Sequence, residues 1–317
     1  MRRTCVLVVL AALCLHVPGQ AQTTPRAALP AITVDREALL GDLRALSADE
    51  MQGRKMGTAG GERARAYLAA RFRDAGLLTA GNRSGYVFPF TAPDGRPGAN
   101  VVGRIAGTRQ PGAFIVVSAH YDHVGVKNGQ IYNGADDNAS GAAALVAIAQ
   151  YFRAHPPQHS LLFAAFDGEE DGLLGSSAFV RAPPVDPESI AININIDMIG
   201  REDRNRLFVV GTRRQPFLAP YIAAVAERAP VRLLTGHEGA PAGGDDWTRD
   251  SDHYAFLTAG IPALYFGVED ERQLHRPTDD YDTITYPFYV SAVETITDAI
   301  REIDLHLDDF AGKRNRS

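Results

Sequence analysis

Short apolar segments alternate with helical segments along most of the chain, and this alternation most strongly limits the folds open to it. Strands are predicted at residues 99–105, 113–119, 160–166, 190–196, 207–210 and 262–266. Helices are predicted at residues 36–75 with a break at 57–61, at 140–154, after Gly172, and at 216–228, 252–259 and 287–307. Strands that alternate with helices form a sheet covered on both faces. We therefore expect an α/β fold, a three-layer sandwich around a central, largely parallel (mixed) sheet.

Side chains that commonly bind metals follow three of the predicted strands. His120 ends the strand FIVVSA, Glu169 and Glu170 follow LLFAAFD, and Asp197 ends IAININI. In open α/β sheets, ligands bind beyond the carboxyl ends of the strands. Since three separate strands deliver such side chains to the same edge of the sheet, chance is a poor explanation for their placement.

Two further residues complete a set of two imidazoles and three carboxylates. Asp136 lies in the segment NGADDNASG before a helix, and His275 lies in the late segment LHRPTDD. A set of this kind without a thiol suits a pair of divalent ions of borderline to hard character. Glu169, beside Glu170, would then be the spare carboxylate that metal-assisted hydrolysis needs as a base.

Each cluster taken alone has a simpler interpretation. His120 could belong to a surface turn after a strand, and His275 could be an ordinary loop histidine. An acid before a helix is usually an N-cap, which explains one of Asp136 and Asp137 but not both. The run 167–171 could be a solvated turn, although its four acids within five residues repel one another unless cations lie among them. The combination of all four clusters favours a metal site.

The order of these motifs resembles that of the M28 family of zinc exopeptidases, and its bacterial secreted aminopeptidases in particular. The motifs are H-x-D at 120–122, GADDNASG at 134–141, E-E-x-G-L-x-G-S at 169–176, N-x-D-M at 195–198 and H-x-P-x-D at 275–279. The family pattern is also matched at 52–58, at 251–253 and at 260–263. The resemblance covers roughly residues 38–305, and it implies the zinc-exopeptidase (phosphorylase/hydrolase-like) fold.

The resemblance implies two zinc ions per chain and a role for each ligand. Asp136 would bridge the two ions. His120 and Asp197 would complete the coordination of one ion, and Glu170 and His275 that of the other.

The resemblance also assigns residues that do not bind metal. Glu169 would be the general base, and Asp122 would orient His120. The peptide bond between Asp136 and Asp137 is expected to be cis, as it is in family members.

The implied activity is the release of N-terminal residues from peptides. Other activities of the same fold stay open: a glutaminyl cyclase, which works with a single zinc ion, a carboxypeptidase or dipeptidase, and a non-catalytic receptor. The doubled aspartate and the Glu-Glu pair favour the hydrolase. Four aromatic residues suggest a preference for an apolar N-terminal side chain, unless they simply fill the core: Tyr254, Phe256, Tyr265 and Phe266.

The first 21 residues have the pattern of a secretory signal peptide, with Arg2 and Arg3 before an apolar run that is too short to span a bilayer. Cleavage is expected near Ala21, so we predict a secreted or periplasmic protein. A flexible lead would follow at 22–35, a single peptidase domain at 36–310 and a tail at 311–317. Both cysteines lie in the signal peptide, which leaves the mature chain without disulfides or thiolate ligands.

The charge of the chain limits its partners. Removal of a leader with two arginines and no acid changes the formal net charge from −6 to −8. An acidic surface argues against nucleic acid and anionic membrane as partners. Peptide substrates are the expected partners, and the sequence is compatible with a monomer without defining the oligomeric state.

Overall fold

The computed structural model describes residues 30–81, 83–239, 245–270 and 272–313. From Ile32 onward the described residues form one compact unit, and of the separate unit that ends at Ala31 the structure describes only residues 30 and 31. The predicted signal peptide therefore lies outside the described residues, as do most of the predicted lead and the end of the tail. Within the described part of the chain, no helix is long and apolar enough to cross a bilayer.

The helices occupy the segments in which they are predicted, except that the first two are separated by residues 47–58 instead of the predicted break at 57–61. They are α1 Arg36–Leu46, α2 Ala59–Asp74, α3 Gly141–Ala154, α4 Leu174–Arg181, α5 Ala219–Ala226, α6 His253–Thr258 and α7 Tyr286–Phe310. The first two begin at polar caps: the Asp35 carboxylate accepts a hydrogen bond from the Ala38 amide (3.0 Å), and Thr58 Oγ1 accepts one from Gly61 (3.3 Å). Such caps satisfy amides that have no partner within the helix.

All six predicted strands are present, and the described residues contain five more that the sequence patterns did not indicate. In chain order they are β1 Leu78–Thr79, β2 Val87–Thr91, β3 Pro97–Ile105, β4 Gln110–His120, β5 Gly125–Lys127, β6 Gln130–Tyr132, β7 His159–Phe166, β8 Ile190–Ile196, β9 Arg206–Val210, β10 Arg232–Thr235 and β11 Ala263–Gly267. The five missed strands are β1, β2, β5, β6 and β10. They are short, and β2 alternates between exposed and half-buried residues rather than forming an apolar run.

Nine of the described strands form one sheet in the order β1-β3-β7-β4-β8-β11-β9-β10, with β2 paired to β3. The four central strands β7, β4, β8 and β11 run parallel to one another. The flanks add antiparallel pairs between β3 and β7 and between β11 and β9. The prediction of a mixed, largely parallel sheet is therefore confirmed for its centre.

Helices cover both faces of the sheet, as predicted. Ile115, Val117 and Ala119 of β4 pack with α1, α2, α3 and α7 in the larger core cluster. Val116 of the same strand packs in a second cluster with Phe179 of α4 and Phe256 of α6. Successive side chains of a strand point to opposite faces, so an apolar strand such as β4 needs a layer of helices on each side.

Candidate metal centre

The carboxyl ends of the parallel strands bring the predicted donors together. His120 at the end of β4 pairs with Phe166 at the end of β7. Glu169 and Glu170 follow Phe166 by three and four residues, so they lie at the same edge of the sheet as His120. Asp197 directly follows β8, and its carboxylate Oδ1 lies 3.1 Å from His120 Nε2. The sheet thus places an imidazole and a carboxylate from neighbouring strands in direct contact.

The loop between β6 and α3 supplies the central carboxylate, and this carboxylate belongs to Asp137, not to Asp136. Asp137 Oδ1 lies 3.5 Å from His120 Nε2, and Asp137 Oδ2 lies 3.3 Å from His275 Nε2. The two oxygens therefore face two different groups of donors. This is the placement expected of a carboxylate that bridges two ions, and Asp136, for which that role was predicted, does not have it.

Asp136 points away from these donors and is fully buried in the scaffold. Its Oδ1 accepts a hydrogen bond from the Gly200 amide at 2.6 Å, and its Oδ2 lies 4.0 Å from the Arg201 guanidinium. Burial raises the pKa of Asp136 well above its usual range. The expected cis peptide bond is likewise displaced by one residue, since it joins Asp137 to Asn138.

Asp279 holds the backbone of this loop from the other side. Its carboxylate accepts hydrogen bonds from the amides of Asp136 (3.0 and 3.1 Å) and Asp137 (3.0 Å). Arg201 pairs in turn with Asp279 at 2.7 Å and with Asp270. Asp279 thus binds the main chain of both aspartates and leaves both of their carboxylates available for other contacts.

Glu170 faces two imidazoles on the second side of Asp137. Its Oε2 lies 2.8 Å from His275 Nε2, and its Oε1 lies 2.6 Å from His123 Nδ1. His275 is half exposed on the loop after β11, whereas His123 is fully buried. His275 is among the predicted ligands, but His123 is not, and its only signal in the sequence is its position three residues after His120.

Glu169 lies at the first side of the centre. His120, Glu169 and Asp197 each offer one possible ligand atom, and these three atoms lie within 4.8 Å of one another. Burial raises the pKa of Glu169 well above its usual range, and Asp197 and Asp252 add to this against the opposing effect of His120. A carboxylate with a raised pKa is suited to accept a proton.

Asp122 connects His120 to Glu169. Its backbone carbonyl, not its carboxylate, contacts His120 Nδ1 at 3.1 Å, while the carboxylate Oδ1 stands 3.7 Å from the same nitrogen. That Oδ1 accepts a hydrogen bond from the Glu169 amide at 3.1 Å. The predicted contact with His120 is therefore present through the main chain, and the carboxylate holds the segment that carries Glu169.

A buried arginine joins the loops that carry the donors. Arg54 is fully buried and donates to the carbonyl of Tyr121 (2.7 Å), which follows His120. It also donates to the carbonyls of Asn133 (2.5 Å) and Gly134 (2.8 Å), which precede Asp137. The segment 52–58 matches a family pattern in the sequence, but that pattern alone did not indicate this role for Arg54.

The charges at the centre fit a cation. His275 lies against Asp137 and Glu170, and these hydrogen bonds raise its pKa to about 10. Burial alone would raise the pKa of Glu170, but its close contacts with His123 and His275 hold it below its usual range. The acids thus favour a positive charge between them, and either protonated imidazoles or metal ions supply that charge.

A cavity of about 660 Å³ opens onto the donors. The residues that line it include the donors His120, Asp137, Glu169, Glu170, Asp197 and His275. Its walls carry apolar side chains, namely Leu173, Met198, Trp247, Tyr265, Val268 and Leu274, and acids, namely Asp245, Asp250, Glu269 and Asp270. Of the four aromatic residues expected to border a specificity pocket, only Tyr265 lines this cavity. Phe256 and Phe266 are buried in the core, and Tyr254 is half-buried outside the lining of the cavity.

The chain is similar in sequence to curated proteins that are named as peptidases. Aminopeptidase YwaD of Bacillus subtilis is 29% identical over 198 residues, which are 60% of this chain and 41% of that protein. The chain spans less than half the length of the first curated relatives that it matches.

Two solved structures share the fold at low sequence identity. BSAP, a zinc aminopeptidase from Bacillus subtilis, has a TM-score of 0.68 at 17% identity and covers 85% of this chain and 95% of its own. A glutaminyl cyclase from Fimbriiglobus ruber has a TM-score of 0.68 at 20% identity and covers 87% of this chain and 97% of its own.

A family model matches residues 100–300, well over half of the chain. The match begins before β4 and ends within α7, so it contains every strand-end donor of the metal centre. On this match, the chain belongs to peptidase family M28.

Proposed function

We propose that this protein is a metal-dependent aminopeptidase that uses two zinc ions to release N-terminal residues from peptides. The observation that carries the proposal is the position of Asp137. Its Oδ1 faces His120 and its Oδ2 faces His275, at 3.5 and 3.3 Å. One carboxylate between two donor groups is the arrangement that a pair of ions needs.

The donors suit zinc. His120 and Asp197 would hold one ion, Glu170 and His275 the other, and Asp137 would bind both. Nitrogen and oxygen donors of this kind are typical of catalytic zinc sites, and Glu170 Oε1 is buried without a hydrogen-bond partner in the described structure. When bound, zinc supplies Lewis-acid activation of water and of the scissile carbonyl.

Glu169 is the proposed base. It lines the cavity beside the donors, and burial raises its pKa above the usual range. Its carboxylate takes a proton from the attacking water and later delivers it to the leaving amine. Asp122 supports this step because it holds the Glu169 amide at 3.1 Å.

Cleavage at the amino end is supported by the relatives that are named aminopeptidases. The acids that line the cavity also suit the positive charge of a free α-amine. Because the walls of the cavity carry both apolar and acidic side chains, the preference for an apolar N-terminal residue stays a prediction. Secretion or export to the periplasm is proposed from the signal-peptide pattern alone.

A digest of a peptide library, read by mass spectrometry, tests this function. We expect loss of single residues from the amino end, abolished by chelation and restored by zinc. Leucine, alanine, lysine and glutamate aminoacyl-nitroanilides then rank the N-terminal preference. Cyclisation of N-terminal glutamine without hydrolysis would favour the glutaminyl cyclase, and loss of residues from the carboxyl end would favour a carboxypeptidase.

A further inference from the structure

His123 is a buried imidazole without an ordinary partner. Its side chain is fully buried, and neither ring nitrogen has a hydrogen-bond partner among the residues that the structure describes. Buried polar atoms in folded proteins are nearly always paired, and an unpaired one calls for an explanation. An ion held by the ring would provide one.

The Nδ1 atom of His123 converges with two carboxylate oxygens. It lies 2.6 Å from Glu170 Oε1 and 3.5 Å from Asp137 Oδ2. Glu170 Oε1 is itself buried without a hydrogen-bond partner in the described structure, so the short contact does not have hydrogen-bond alignment. One ligand atom from each of these three residues lies within 4.8 Å of the others. Atoms that crowd together without bonding to one another are typical of a cation site.

The backbone fixes this ring in place. Gly134 has a φ of 57°, and a Cβ built there would lie 2.5 Å from two ring atoms of His123. The loop that carries Asp137 therefore packs directly against the imidazole. Only glycine permits both the left-handed backbone and the close approach.

We propose that His123 Nδ1 is a further metal donor, beside Asp137, Glu170 and His275, in the second of the two metal positions. The proposal rests on the two-metal function proposed above. The second position then has two imidazoles and two carboxylates, which is a full set of four protein donors. The first position has one imidazole and two carboxylates. It therefore keeps room for water and substrate, and it is the position beside Glu169.

Zinc binding to wild type, His123→Ala and His123→Asn tests the assignment. The metal-free proteins are titrated with zinc against a chromophoric chelator, and cobalt-loaded samples are examined by visible absorption. His155→Asn is the control, because His155 is exposed and contacts the Tyr151 carbonyl at 3.0 Å instead of the donors. We expect wild type and the control to bind two ions. Both His123 variants should lose at least about tenfold in affinity at one position, with a changed cobalt spectrum.

The asparagine variant separates a ligand from a hydrogen-bond donor. Its amide can donate to Glu170 near the place of Nδ1 but cannot replace an imidazole ligand. Wild-type affinity and spectrum in His123→Asn, with losses in His123→Ala, would overturn the assignment, as would two unchanged variants.

If the alanine variant is unstable, the zinc dependence of its melting temperature still reports binding to the folded state. A zinc-induced rise as large as that of wild type would count against the proposal, and a smaller rise would support it. Failure of wild type itself to bind two ions would instead refute the two-metal function.

Discussion

Replacement of Arg54 by methionine should destabilise the protein strongly, although Arg54 does not line the cavity at the metal centre. The guanidinium donates to four backbone carbonyls at 2.5–2.8 Å, those of Leu46, Tyr121, Asn133 and Gly134. Burial lowers its pKa to about 10 against the opposing effect of nearby acids, so it stays charged at neutral pH. Methionine fills similar space but donates no hydrogen bond.

The size of the effect follows from these contacts. Each buried carbonyl left without a donor costs about 1–3 kcal/mol, so four of them cost about 4–12 kcal/mol. The variant also has no buried guanidinium, and the absence of that desolvation penalty offsets the loss by several kcal/mol. We therefore expect the free energy of unfolding to fall by about 3–5 kcal/mol. Arg54→Lys, which keeps the charge but lacks the planar set of donors, should lose less.

Urea unfolding of the metal-free proteins, followed by circular dichroism, measures this loss. Arg63→Met is the matched control, because Arg63 is exposed and its Nε contacts one carbonyl, that of Glu50. The control should change stability by no more than about 0.5 kcal/mol. If Arg54→Met changes the free energy of unfolding no more than the control does, the four hydrogen bonds of Arg54 do not stabilise the fold as argued.

Four further substitutions test the metal centre and its surroundings. Asp137→Asn should lose zinc at both positions, whereas Asp136→Asn should keep it; metal analysis of the two variants distinguishes them, and the opposite result would restore Asp136 as the bridge. Glu169→Gln should keep both ions but lose at least about a hundredfold in turnover, and a variant that loses zinc and keeps activity would contradict its role as base. Burial, together with Asp122, raises the pKa of Asp167 to about 7. Its unfolded value is about 3.9, so the folded state binds more protons between these values and stability falls as pH rises from 4 to 7. Asp167→Asn should therefore gain stability over wild type with rising pH, by at most about 4 kcal/mol at pH 8; urea unfolding of metal-free protein at pH 4.5 and 8 measures it, and an equal change at both values would refute it.

The fold was predictable where the sequence pattern is strong. The central strands β7 and β8 are buried over nearly their whole length, and β4 is buried from Ile115 to His120. A continuous apolar run is typical of such strands. The missed strands lie at or beside the sheet edges, or in the small separate pair of β5 and β6. β1 and β10 each pair with a strand about 25 residues away in sequence, and a local pattern does not contain that information. β2, β5 and β6 pair with strands close in sequence, but they are short and partly exposed, so no apolar run marks them.

The donors at strand ends were predictable for the same reason. His120, Glu170 and Asp197 follow buried parallel strands, and the geometry of such a sheet leaves them little choice of position. His123 and Arg54 were not predictable in this way. Their roles depend on contacts with the loop at 133–137, which approaches them only in the folded chain.

The choice between Asp136 and Asp137 shows where local reasoning ends. Both side chains are buried and both are acidic, so composition and spacing describe them equally well. The choice is made by residues far along the chain. Asp279 binds both amides, and the Gly200 amide binds the Asp136 carboxylate at 2.6 Å. With Asp136 fixed to the scaffold, Asp137 is the carboxylate left to face the donors. The doubled aspartate therefore serves two purposes, one in holding the loop and one at the metal centre.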